Sequence, residues 1–534
     1  MTPVSDDILE TVRKGYAFDG SAVELGALVT DGTAHPDVPV RLPLAMMNRH
    51  GLVAGATGTG KTKTLQLVAE QLSAAGVPVF LADVKGDVSG IAAPGTASDR
   101  VTKRAAEVGI EWAATGFPAE FYALGGIGTG APVRATMTSF GPVLLAKVLG
   151  LNEVQESSLG LVFHYADKAG LPLLDLKDLR AVITYLVSDE GAGDLSGLGG
   201  LSKATAGVIL RELVGFEDQG ADAFFGEPEF DTADLLRVAP DGRGVISCLE
   251  LPGVQDRPAL FSTFLMWLLA DLFHDLPEVG DVEKPKLVFF FDEAHLLFRD
   301  ASKDFLAAIA QTVRLIRSKG VGIFFVTQTP SDVPDEVLAQ LGNRVQHALR
   351  AFTPADAKAL KATVTTFPKS GYDLEEVLPA LGIGEAVVTV LSESGAPTPV
   401  AWTRLRPPSS LMGPLDPAAL SAAVAASPTA QEYAQAVDRD SAYERLQAKL
   451  HPAPTPAAQP APEPAPEPAP EPRSAPRPER HEEQHESGAA AAVAGIFGSA
   501  VFKSFARSAA SAAGREITRS LFGTAPRRRS SRRR

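Results

Sequence analysis

Gly55-Ala56-Thr57-Gly58-Thr59-Gly60-Lys61-Thr62 fits the spacing G-x-x-x-x-G-K-[ST] at every fixed position. Glycines at these intervals let a backbone wrap closely around phosphate oxygens and aim several N–H groups inward. In such a loop Lys61 reaches the β- and γ-phosphates and the Thr62 hydroxyl reaches Mg²⁺. The expected nucleotide-binding set is therefore Gly55, Ala56, Thr57, Gly58, Thr59, Gly60, Lys61, Thr62 and Lys63, and the expected ligands are ATP and Mg²⁺. The apolar run Gly51–Ala54 precedes the loop and a helical pattern (Leu65, Leu67, Val68, Leu72) follows it. That is the setting a phosphate loop needs, with the helix adding its positive N-terminal end. A tight turn that binds nothing is the bland alternative, and the flanking strand and helix argue against it.

A loop of this kind also requires a carboxylate for the metal and a group that acts on water. Leu287-Val288-Phe289-Phe290-Phe291 is a buried-strand pattern ending in Asp292 and Glu293. Asp292 is placed to hold the metal, and Glu293 to polarise a water as general base. The competing reading is an acidic pair that merely favours a helix N-terminus. A water-activating glutamate points to hydrolysis rather than to transfer onto a small molecule. The next apolar run, Ile323–Thr327, ends in Gln328, which is positioned to hydrogen-bond a γ-phosphate or its water. Asp83 and Asp87 follow another strand pattern at the same sheet edge, where open parallel sheets put ligands. Arg314 and Arg317, three apart on one helix face, precede Gly320–Thr327, and Arg344 opens the strand after it. An arginine delivered to the γ-phosphate accelerates hydrolysis by ~10³–10⁵-fold.

These groups need a scaffold. Nearly continuous apolar runs at Gly51–Ala54, Val77–Asp83, Gly244–Leu251, Lys286–Asp292, Gly320–Thr327 and Arg344–Ala351 alternate with helical patterns, the signature of an α/β fold with a parallel sheet covered on both faces. Between Pro94 and Pro240 helices dominate (Val143–Leu149, Ser158–Lys168, Leu176–Val187), and the Gly-rich GGIGTG (125–130) and GLGG (197–200) read as loops. Residues 385–405 read as a hairpin at the sheet edge. The expected divisions are an N-terminal segment with the phosphate loop (1–99), a helical insertion (100–240), the rest of the core (241–410), a helical extension (411–450), a disordered Pro/Ala/Glu-rich linker (451–487) and an Ala-rich basic tail (488–534). Twelve prolines between Pro452 and Pro478 cannot pack a core and favour an extended spacer of up to ~80 Å.

Composition narrows the function. The single cysteine, Cys248, excludes an intrachain disulfide and a multi-cysteine zinc site. No signal-peptide pattern opens the chain, and the longest apolar runs, Leu260–Phe273 and Gly488–Phe502, fall short of a membrane span. A cytoplasmic protein is expected. The net charge of −14 hides an asymmetry: residues from Phe497 onward carry ten Lys/Arg and one Glu, a net of +9, leaving −23 on the acidic body. The basic tail is suited to nucleic acid, anionic lipid or a protein partner.

Taken in order, GATGTGKTKT, FLADVKGD, LVFFFDEAH, GIFFVTQTPSDVP and LGNRV resemble the HerA-like branch of the HerA/FtsK P-loop ATPases, over residues from about 15 to 410. The resemblance implies a RecA-like core and an oligomeric, typically hexameric ring that couples ATP hydrolysis to moving DNA or sometimes protein. It implies Lys61 and Thr62 as phosphate and Mg²⁺ ligands, Asp292 as metal ligand, Glu293 as base, Gln328 as sensor and Arg344 as an arginine finger acting across a subunit interface, with Arg317 and Arg350 as alternatives. About 50 residues precede the phosphate loop, too few for the N-terminal β-barrel of archaeal HerA, which suggests a bacterial subgroup without it. FtsK-type membrane spans and a DNA-reading winged helix are not evident. Asp292-Glu293-Ala294-His295 also spells the DEAH of another helicase superfamily, but about 230 residues separate it from the loop and Thr327-Gln328 replaces the expected Ser-Ala-Thr. A DNA motor, an ATPase serving a protein or membrane client through its tail, and a slow nucleotide switch are the three functions this sequence admits.

Overall fold

The computed structural model describes residues 4–254, 257–299 and 303–450. Twelve strands form one sheet: β1 (Ala22–Thr30), β2 (Thr33–Pro43), β3 (Gly51–Ala54), β4 (Val79–Asp83), β5 (Ala119–Leu124), β6 (Ala131–Val133), β7 (Ile246–Glu250), β8 (Leu287–Phe291), β9 (Val321–Thr327), β10 (Asn343–His347), β11 (Glu385–Thr389) and β12 (Ala401–Leu405). Their order is β2-β1-β12-β11-β10-β3-β9-β8-β4-β7-β5-β6. From β10 to β6 neighbouring strands are parallel. From β10 towards β2 they are antiparallel.

Strand alternation builds two cores. Leu287, Phe289 and Phe291 enter one apolar layer with Phe325 and the helix Pro258–Asp275, whose Trp267 is fully buried. Val288 and Phe290 enter the other, with Leu65 and Val68 of the helix Lys61–Ala74. Side chains of period two facing packed layers on both sides require continuous apolar strands, as the sequence has. The apolar run Leu260–Phe273 is thus a core helix. Among the described residues no helix is long and apolar enough to cross a membrane.

Three expectations need correction. The sheet is mixed, not purely parallel. Within 100–240, the short run Ala119–Leu124 gains its ladder and the burial of Phe121, Tyr122, Ala123 and Leu124 by pairing with β7, so β5 and β6 extend the main sheet and GGIGTG is the loop between them. The 385–405 hairpin lies inside the sheet, because β12 pairs with β1. Strands β1 and β2 went unread, although Asp31 (φ 49°) and Gly32 (φ 75°) form the left-handed two-residue turn that such a pair favours.

Helices Glu153–Lys168 and Leu176–Leu186 each start at a capping box, Asn152/Gln155 and Asp175/Asp178. Helices Pro417–Ala426, Pro428–Tyr433 and Ala442–Leu450 follow β12. Tyr433 docks them by donating to Asp234 Oδ2 at 2.8 Å. The 451–487 linker and the 488–534 tail lie outside the described residues.

Candidate ATP hydrolysis site

Parallel pairing brings the C-terminal ends of β10, β3, β9, β8, β4 and β7 to one edge. Ala54 is level with Thr327, Phe291 with Phe325, Ala82 with Phe291, and Asp83 with Glu250. Gly55, Gln328, Asp292 and Asp83 therefore leave the sheet as neighbours.

The loop after β3 closes on itself and on both adjoining strands. Gly55 N donates to Thr327 O (3.2 Å) and Gln328 O (3.1 Å), and Ala56 N to Ala348 O (2.8 Å). A Cβ at Gly55 would stand 2.4 Å from the Cβ of His347, so only glycine fits. Gly60 precedes the helix in a left-handed conformation (φ 115°). Lys61 is buried, and its Nζ donates to Gly55 O at 2.7 Å and Ala56 O at 3.3 Å. Burial lowers its pKa, against the opposing pull of Glu293 and Asp292. Thr62 follows at the start of the helix. Thr57 and Gly58 are exposed at the loop tip, and Thr59 Oγ1 caps Ala56 O at 2.7 Å. The Lys63 side chain turns away to Gln66 Oε1 (3.3 Å), leaving its backbone as its means of contacting a phosphate.

His347 was not singled out from the sequence. It lies beneath the loop, fully buried, with Nε2 2.9 Å from Thr64 Oγ1. Burial, with Lys61 adding, pushes its pKa down to about 4, so it is a neutral strut. Nothing in Asn343-Arg344-Val345-Gln346-His347 marks it.

Asp292 is 1 % exposed; Oδ1 accepts from Glu293 N at 2.9 Å, and Oδ2 has no hydrogen-bond partner among the described residues. Burial, then Glu293, pushes its pKa up to about 7. A buried carboxylate oxygen without a hydrogen-bond partner among the described residues is a hard oxygen donor of the kind that suits Mg²⁺. Glu293 is buried too, in a left-handed conformation (φ 47°) unusual for a side-chain-bearing residue. Its Oε1 pairs with Lys85 Nζ, and Oε2 faces His295 Nδ1 at 3.2 Å.

Gln328 is exposed and borders an open cavity of about 420 Å³ with His295, Phe298, Arg299, Thr329 and Asp332. Asp332, also missed, fixes this segment: Oδ2 accepts from Thr327 Oγ1 (2.7 Å) and Thr329 N (2.9 Å), Oδ1 from Thr329 Oγ1 (2.8 Å). Its signal was the capping-box spacing Thr329-Pro330-Ser331-Asp332. Asp83 accepts from Gly86 N, Asp87 N and Val88 N, which makes it the anchor of the 83–88 loop.

The structure does not bring Arg344 to the cradle of its own chain. It is level with Leu52, below the loop, and Nη1 donates to Thr366 O at 3.4 Å. Arg350, past the end of β10, donates to Pro379 O. Arg314 is exposed on the helix Lys303–Ile316, while Arg317 falls in the following 3₁₀ turn at the opposite sheet edge.

Glu250 yields a stability prediction. Its Oε1 is buried without a partner among the described residues, and burial, with Asp83 and Asp87 adding, pushes its pKa up to about 8. A carboxyl whose folded pKa is raised stabilises the fold below its unfolded pKa, near 4.5, and loses that contribution as pH rises through 8. Glu250→Gln does not titrate. Between pH 5.5 and 8.5 its urea-unfolding free energy should therefore gain on wild type by on the order of 3 kcal/mol. Parallel pH profiles for the two proteins would show that Glu250 is ionised in the fold.

The chain is similar to several known proteins. The family profile described as Helicase HerA-like C-terminal matches residues 29–530. The DNA double-strand break repair helicase HerA of Pyrococcus furiosus is 24% identical over 416 residues, covering 72% of this chain and 69% of that protein. Its counterpart in Saccharolobus solfataricus is 20% identical over 391 residues, with the same coverage of each. Among solved structures, the bacterial conjugative coupling protein TrwB superposes with a TM-score of 0.51 at 16% identity, covering 77% of this chain and 94% of that one, a likeness of fold. A family match spanning nearly the whole sequence, over a P-loop with its acidic pair, leads to one conclusion: this chain belongs to the HerA-like C-terminal helicase family and is an ATP hydrolase.

Proposed function

We propose that the protein is an ATP-driven motor that assembles as a ring, hexameric as the resemblance of its sequence motifs implies, and moves DNA. The observation that carries this reading is the resemblance over most of the chain to proteins named as DNA repair helicases. In the proposed site, the backbone of Gly55–Lys63 and the Lys61 ammonium hold the ATP phosphates, and Thr62 and Asp292 hold Mg²⁺. When bound, the metal neutralises charge developing on the phosphates. Glu293 takes the proton of the attacking water. Gln328 contacts the γ-phosphate or that water. Arg344, turned away from its own cradle, acts on the site of a neighbouring copy.

Steady-state ATP hydrolysis with and without double-stranded DNA, at low and moderate salt, tests the reading. DNA should raise the rate, and the rise should fade as salt displaces protein from the phosphates. A rate that DNA leaves unchanged at both salt concentrations would refute DNA as the cargo.

A further inference from the structure

Lys85 was read past in FLADVKGD, yet it makes the closest contact to the proposed base. Strand β4 lies beside β8, with Ala82 level with Phe291, so the residues following each strand meet at the sheet edge. There Lys85 Nζ pairs with Glu293 Oε1. The lysine stands on a fixed post, since Asp83 takes three backbone N–H groups of the 83–88 loop. The glutamate is the strained partner, with a left-handed φ of 47° that side-chain-bearing residues rarely adopt.

In this arrangement Glu293 is a poor base. One oxygen is held by the ammonium, the other faces His295 Nδ1 at 3.2 Å, and the side chain is 7% exposed. The Lys85 side chain, in contrast, is 44% exposed and open to a second anion from the solvent side.

We infer that Lys85 is a positioning residue that latches Glu293 in a resting state, and that a phosphate oxygen competing for the Lys85 ammonium frees the carboxylate to act on water. The inference rests on Glu293 being the base proposed above. The competing phosphate comes either from the nucleotide or from a DNA backbone, two sources of the same chemistry. No covalent change is involved; one ion pair is exchanged for another.

The test compares kcat and KM for ATP, with and without double-stranded DNA, in wild type, Lys85→Ala, Lys85→Arg, Glu293→Gln and the Lys85→Ala/Glu293→Gln double variant, with thermal melting to confirm the fold. Lys85→Ala should raise the DNA-free kcat by roughly 5-fold or more while KM changes little. Lys85→Arg, which keeps the charge, should stay near wild type. The double variant should be as slow as Glu293→Gln, because the latch acts through that carboxylate. A gain that vanishes when DNA is present identifies DNA phosphate as the releasing anion; an equal gain with DNA present excludes DNA and leaves the nucleotide's phosphates, which at saturation then release only part of the latched population. If Lys85→Ala lowers or preserves kcat while Glu293→Gln is inactive, the latch is wrong and the base assignment stands. If Glu293→Gln hydrolyses ATP normally, both fall together.

Discussion

Replacing Lys61 with alanine is expected to cut ATP turnover by ~10³-fold or more while the protein stays folded. The loss is large because in the proposed site the ammonium is the cradle's charge for phosphate, in a buried setting where electrostatic contacts are strong. The fold survives because the same burial disfavours the charged lysine. The bonds to Gly55 O and Ala56 O that it gives up are worth about 1–2 kcal/mol. Steady-state hydrolysis and a thermal melt read both halves; normal turnover would overturn the entire site. Mixed with wild type, the variant should depress activity more than dilution does if copies share a site, and in simple proportion if they do not.

Glu293→Gln should lower kcat by ~10²–10⁴-fold, the range lost with a general base, and leave ATP affinity within severalfold. Glutamine keeps the shape and can still face Lys85, but it cannot accept the water's proton. Single-turnover hydrolysis beside equilibrium nucleotide binding separates the two effects. An equal loss in binding and turnover would make Glu293 a structural partner of Lys85 instead.

The parts of this site that were legible from sequence are those whose chemistry is local. The phosphate loop announces itself by glycine spacing. Asp292 and Glu293 follow from a five-residue apolar run that has no other end. Strands β3, β4, β7, β8 and β9 were readable because burial on both faces forces nearly continuous apolar sequence. What escaped depends on pairing between distant segments. β5 is a six-residue run that reads weakly until β7 supplies its ladder. β1 is an apolar, mostly buried run broken by Glu24, and β2 alternates only over Val38–Leu42, so neither stood out, and Asp31-Gly32 was the turn signal between them. His347 and Lys85 gain their meaning from what lies across from them, Thr64 and Glu293, which the order of residues does not reveal.

The shared donor at Gly55 has a mechanical consequence. One N–H binds the carbonyls of both Thr327 and Gln328, so the phosphate loop and the 328–332 segment work like meshed gears. Neither can be displaced without straining the other, since Asp332 leaves that segment little slack. Such a linkage runs equally in both directions. A pull on the outer segment must loosen or tighten the grip on phosphate by the same free energy with which phosphate moves the segment, so load applied there is felt as a change in nucleotide affinity.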